Sequence, residues 1–101
     1  MVDINYSDNK KSSIISIQDA YNLVKYSEAI IIDVRSRQEF FEGHIKGSTN
    51  IPLIDLNKYS FNKNKIIVLF CNAGIRSRKA KILLENKGYK NVYILESMEI
   101  P

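Results

Sequence analysis

At 101 residues, 45% of them hydrophobic and 26% charged, the chain has material for one domain with a single modest core and no more. Its net charge of +4 rests on eleven lysines scattered from Lys10 to Lys90, with no basic block interleaved with aromatics, so no nucleic-acid partner is expected. A single cysteine excludes an internal disulfide, one cysteine with one histidine is too sparse for a zinc site, and no stretch approaches transmembrane length, so a reducing, cytoplasmic location without membrane contact is expected.

In chain order, residues 1–12 are rich in Asp, Asn, Ser and Lys, bury little, and read as a flexible arm ahead of one domain over residues 13–101. Ile14 and Ile15 open the ordered part. Ser16-Ile17-Gln18-Asp19 then reads as a helix start, with Ser16 as cap, Asp19 at the positive end of the dipole, and Ala20, Leu23 and Val24 as the apolar face. Residues 29–34 form an apolar run broken near its end by Asp33, which fits a buried strand whose carboxylate pins the following turn as a hydrogen-bond acceptor. Ser36-Arg37-Gln38-Glu39 has capping-box spacing and opens a short helix that Gly43 stops, and Arg35 and Glu39 are near enough in sequence to pair. The lone histidine, His44, falls in the turn-rich Gly43-His44-Ile45-Lys46-Gly47, far in sequence from the cysteine. Residues 48–52 read as a short strand ended by Pro52, residues 53–56 as a short helix or turn, and residues 57–65 as a polar connection anchored by Tyr59 and Phe61.

The most informative stretch follows. Ile66-Ile67-Val68-Leu69-Phe70 has the length and β-branched character of a buried parallel strand, and the only cysteine, Cys71, stands at its end. Residues 77–87 place Ala80, Leu83, Leu84 and Lys87 on one helical face, Gly88 suits the left-handed end of that helix, and residues 91–95 form a last strand. Strand and helix alternate throughout, which points to an α/β fold with a mostly parallel sheet of about five strands and helices on both faces.

Ligands in such folds bind beyond the carboxyl ends of the strands, where both Cys71 and the end of the Asp33 strand lie. With Gly74 permitting a tight curl, the amides of Asn72, Ala73, Gly74, Ile75, Arg76 and Ser77 can turn inward around the sulfur as an anion-binding nest. Amides and a helix dipole stabilise a thiolate without a histidine base. Arg76 adds a cation at the rim, and Arg76, Arg78, Lys79 and Lys81 together can draw small anions or an acidic protein partner.

Those residues resemble the rhodanese-like sulfurtransferase domain, whose small members carry a loop of the form Cys71-Asn72-Ala73-Gly74-Ile75-Arg76-Ser77. The resemblance continues upstream in Ile32-Asp33-Val34-Arg35, Glu39-Phe40, Gly43-His44-Ile45, Gly47 and Asn50-Ile51-Pro52, and it spans about residues 14–96. It implies a sulfurtransferase in which Cys71 is the nucleophile and carries a persulfide. It also implies that residues 72–77 bind the substrate, that Asp33 and Arg35 support the site, and that His44 organises its loop rather than acting as a base. The implied partners are a small anionic or polysulfide sulfur donor and a protein persulfide donor or acceptor, and no cofactor or metal is implied. Some thiosulfate-using members carry a cation early in the loop where this chain has Asn72 and Ala73, which leaves the donor open. A non-catalytic sulfur carrier or partner-binding module is the alternative. A phosphatase or arsenate reductase is disfavoured, because four residues separate Cys71 from Arg76 where the phosphatase loops have five. Family members usually add a helix after the last strand. Here residues 96–101 suggest that it is absent, leaving apolar surface suited to a homodimer.

Overall fold

A computed structural model describes residues 13–100; the expected arm, residues 1–12, lies outside the described residues. The elements run β1 (Ile14–Ile15), α1 (Ile17–Ser27), β2 (Ile30–Asp33), α2 (Arg37–Glu42), β3 (Thr49–Asn50), a 3-10 helix (Leu53–Lys58), β4 (Ile66–Phe70), α3 (Ile75–Asn86) and β5 (Asn91–Leu95). Five strands make one sheet in the order β1-β5-β4-β2-β3, and every neighbouring pair is parallel.

Parallel strands require crossovers, and the helices that supply them cover both faces of the sheet. This is why β4, the middle strand, is apolar at every position rather than at alternate ones. Ile67 and Leu69 of β4 point with Ile32 into one core, against Ala80 and Leu84 of α3. Val68 and Phe70 point with Ile31 into the other, against Ala20 of α1.

Local chemistry sets the helix ends. Ser16 Oγ accepts from the Asp19 amide at 3.0 Å and starts α1. Of the expected apolar face of α1, Ala20 is buried and Leu23 packs on the core, but Val24 is 40% exposed and lies outside both cores. The end of α3 is a Schellman motif. Gly88 takes φ +98°, its amide donates to Glu85 O, and the Tyr89 amide reaches back to Leu84 O at 3.1 Å. Leu84 and Tyr89 then pack in the same core. Lys87, expected on the apolar face of α3, is instead exposed, and its ammonium donates to Asn57 O.

Two expectations about the connections need correction. Phe61 anchors the polar stretch, its backbone N–H donating to Tyr89 Oη at 2.7 Å and its ring packing against the first core, while Tyr59 is 41% exposed and is not part of either core. Residues 96–100 form no helix, but Met98 and Ile100 fold onto the second core, so part of the surface expected to be bare is covered by the chain itself.

Candidate active site

Cys71 is the first residue after β4, which lies between β2 and β5, and it is only 2% exposed. Gly74, at φ +84°, turns the chain into α3 and supplies no capping side chain. The sulfur fills that role. Cys71 Sγ accepts the Gly74 amide at 3.1 Å and the Ser77 amide at 3.3 Å, and Ser77 is the third residue of α3, the position whose orphan N–H a capping side chain ordinarily satisfies. Of the expected ring of six amides, two are at hydrogen-bond distance from the sulfur, those of Gly74 and Ser77. Asn72 and Ala73 are exposed beside the sulfur. Ser77 Oγ is fully buried without a hydrogen-bond partner, the one such side-chain atom among the described residues.

Asp33 and Arg35 lie behind this loop as one buried unit. Arg35 Nη2 meets Asp33 Oδ2 at 2.7 Å, Arg35 Nε lies 3.0 Å from each carboxylate oxygen, and the Arg35 amide donates to Oδ1. The same Nη2 donates to Gly43 O at 2.7 Å, and Asn50 Nδ2 donates to the carbonyls of both Asp33 and Arg35. The hydrogen bonds to Asp33 hold the Arg35 guanidinium above its ordinary range against the opposing effect of burial. Removing either partner would leave an uncompensated charge in the core, a loss of ~3–5 kcal/mol. This pair acts through structure: Asp33 is fully buried and its carboxylate is occupied.

Glu39 pairs with Arg76 rather than with Arg35. Arg76 Nη1 and Nη2 grip Glu39 Oε1 and Oε2 at 2.6 and 3.0 Å, and Oε1 also accepts the Ser36 amide, completing the capping box that begins α2. The Arg76 guanidinium, helped by the Ser36 amide, pulls the Glu39 carboxyl down to about 2. Arg76 is thus held in an ion pair and is not a free rim cation, and Lys81 is likewise paired, with Glu85. His44 stacks on Phe40 with ring centroids 3.7 Å apart, and its Nδ1 lies 2.9 Å from Phe40 O, a contact that places a proton on Nδ1. It is bound into its own loop.

The profile of the rhodanese-like domain matches residues 16–97. The chain belongs to the rhodanese-like domain family. Among relatives, the thiosulfate sulfurtransferase GlpE of Coxiella burnetii is 34% identical over 83 residues, covering 80% of this chain and 78% of its own. The tRNA uridine(34) hydroxylase of Buchnera aphidicola is 27% identical over 96 residues, covering 87% of this chain but 31% of its own, so the chain spans about a third of that relative's length. The human single-domain sulfurtransferase TSTD1 superposes with a TM-score of 0.76 at 24% identity, over 86% of this chain and 91% of that one, and so shares the fold.

In this rhodanese-like domain a cleft of about 750 Å³ opens beside the cysteine loop. Arg35, Glu39, Glu42 and Gly43 line one part, Asn72 comes from the loop, and Ser97, Met98, Glu99 and Ile100 come from the tail. Of these lining residues the sequence analysis named Asn72 and Arg35 as site residues and did not name Glu39, Glu42 or Glu99 as such. The first two sit on α2, and only the fold brings that helix to the loop.

Proposed function

We propose that the protein is a sulfurtransferase that moves a sulfane sulfur through a persulfide on Cys71. The Cys71 thiolate attacks the outer sulfur of a donor R–S–SH; a new S–S bond forms, the donor's S–S bond breaks, and its electron pair leaves on R–S⁻. An acceptor nucleophile then takes the outer sulfur and returns Cys71 as thiolate. Splitting the transfer into two displacements is the gain of covalent catalysis, and it implies ping-pong kinetics. A polysulfide or a protein persulfide would serve as donor in this way, and thiosulfate would do so with sulfite as the leaving group, with no cofactor required. The observation that carries the reading is the pair of amides from Gly74 and Ser77 aimed at Sγ from the positive end of α3, an arrangement that favours an anionic sulfur. The similarity to a thiosulfate sulfurtransferase supports it.

The test is intact mass after incubation with a sulfur donor. One added sulfur on Cys71, lost again on addition of an acceptor thiol or cyanide, is the expected result, and Cys71→Ser abolishes it. Sulfur that is gained but released only to a partner protein would instead favour a carrier, and no gain of sulfur a partner-binding module. Likeness to the tRNA uridine(34) hydroxylase favours a second reading, in which the same loop serves oxidation of a tRNA uridine in a larger protein. Mass analysis of nucleosides from tRNA incubated with the protein separates the two.

A further inference from the structure

Within the persulfide reading, we propose that Glu42 and Glu99 make this site select sulfur donors that carry a positive charge, persulfides of small amine-bearing thiols, over dianions such as thiosulfate. A charge inventory of the cleft leads there. Among the described residues its only lining cation is Arg35, which is 4% exposed and whose Nε and Nη2 are held by Asp33 and Gly43 O. Arg76, the cation expected to orient an anionic donor, spends its charge on Glu39. Arg78 and Lys79 are exposed at the start of α3 but do not line the cleft, and the Arg78 guanidinium lies back over Gly74.

Of the carboxylates lining the cleft, two have no ion pair among the described residues. Glu42, at the end of α2, has only the Gln38 amide near it at 3.4 Å, and Glu99 comes from the tail; both are exposed. They come from separate segments lining the same cleft as Asn72, the residue next to the nucleophile. A cleft of one sign concentrates ligands of the other and repels its own, with effects of tenfold or more on encounter rate at low salt. Two unpaired carboxylates on a cleft whose lining arginine is already paired with Asp33 disfavour a donor bearing two negative charges. A donor such as cysteamine persulfide, with one ammonium group, is drawn in.

Loading of Cys71 is followed by intact mass with cysteamine persulfide, cysteine persulfide and thiosulfate, in the full chain and in Glu42→Gln/Glu99→Gln and Glu42→Lys variants. Each donor is compared with itself across proteins, which removes differences in intrinsic reactivity. In the double variant, cysteamine persulfide loading falls and thiosulfate loading rises, changing their ratio roughly tenfold at low salt, and Glu42→Lys moves it the same way. High salt erases most of the difference. Unchanged ratios in both variants overturn the proposal while leaving the persulfide reading standing. Failure of every donor to add sulfur to Cys71 overturns the persulfide reading itself.

Discussion

The sulfur of Cys71 has two jobs at once: it is the nucleophile of the proposed reaction and the capping acceptor of α3, accepting the Ser77 amide that Gly74 has no side chain to satisfy. The two jobs separate by substitution. Cys71→Ala removes the acceptor and should lower stability by ~1 kcal/mol, the ordinary cost of an emptied cap, whereas Cys71→Ser keeps an oxygen acceptor and should lose less. Urea unfolding of the two variants, both inactive in transfer, checks the difference. Equal stabilities would mean that the sulfur contributes nothing to holding the helix. At this scale the sequence was most legible where neighbours decide the outcome: Asp33 pins its own turn two residues on, as expected of a carboxylate at a buried strand end. It was least legible for charge partners. Arg35 and Glu39 looked like a pair because they are four apart, yet the true partner of Glu39 is 37 residues away, and separation along the chain carries no signal of that kind.

Elements were read well where an apolar run has sharp polar flanks, as in β4 and β5, and less well where the boundary chemistry is unusual. The sequence places the start of the last helix at Ser77, while α3 begins at Ile75, because its cap comes from a sulfur several residues back and not from an adjacent Ser, Thr, Asp or Asn. Two glycines bracket this helix and predict different outcomes. Both adopt positive φ, +84° at Gly74 and +98° at Gly88, so alanine at either should cost ~1 kcal/mol of backbone strain. At Gly88 a methyl group meets open space, and Gly88→Ala should leave sulfur loading intact. At Gly74 the amide that holds the sulfur belongs to the strained residue, and Gly74→Ala should slow loading as well as destabilise. Melting curves paired with loading rates distinguish the two, and equal loading in both would detach Gly74 from the chemistry.

Across the molecule, the Glu39–Arg76 pair ties α2 to α3 beside the cleft that Glu39 lines and gives stability a definite acid dependence. Because folding holds the Glu39 carboxyl down to about 2 from an ordinary 4.5, its contribution is complete above about 4.5 and is lost as pH falls towards 2. Glu39→Gln should flatten the stability curve between those limits and leave it nearly parallel to wild type above them; a curve with the wild-type slope in acid would refute the assignment. The parallel sheet itself was legible from the alternation of strands and helices, but the strand order was not. Nothing in the run of residues marks the two-residue β1 as the edge partner of β5. That pairing sets Ile14 beside Ile94, so the polypeptide enters and leaves the sheet through neighbouring rows. The fold is closed like a loop of string whose two ends are held between finger and thumb. Spliced into a host polypeptide at that point, or joined there and reopened in the polar connection before β4, it would keep every strand pairing and the cysteine turn unaltered.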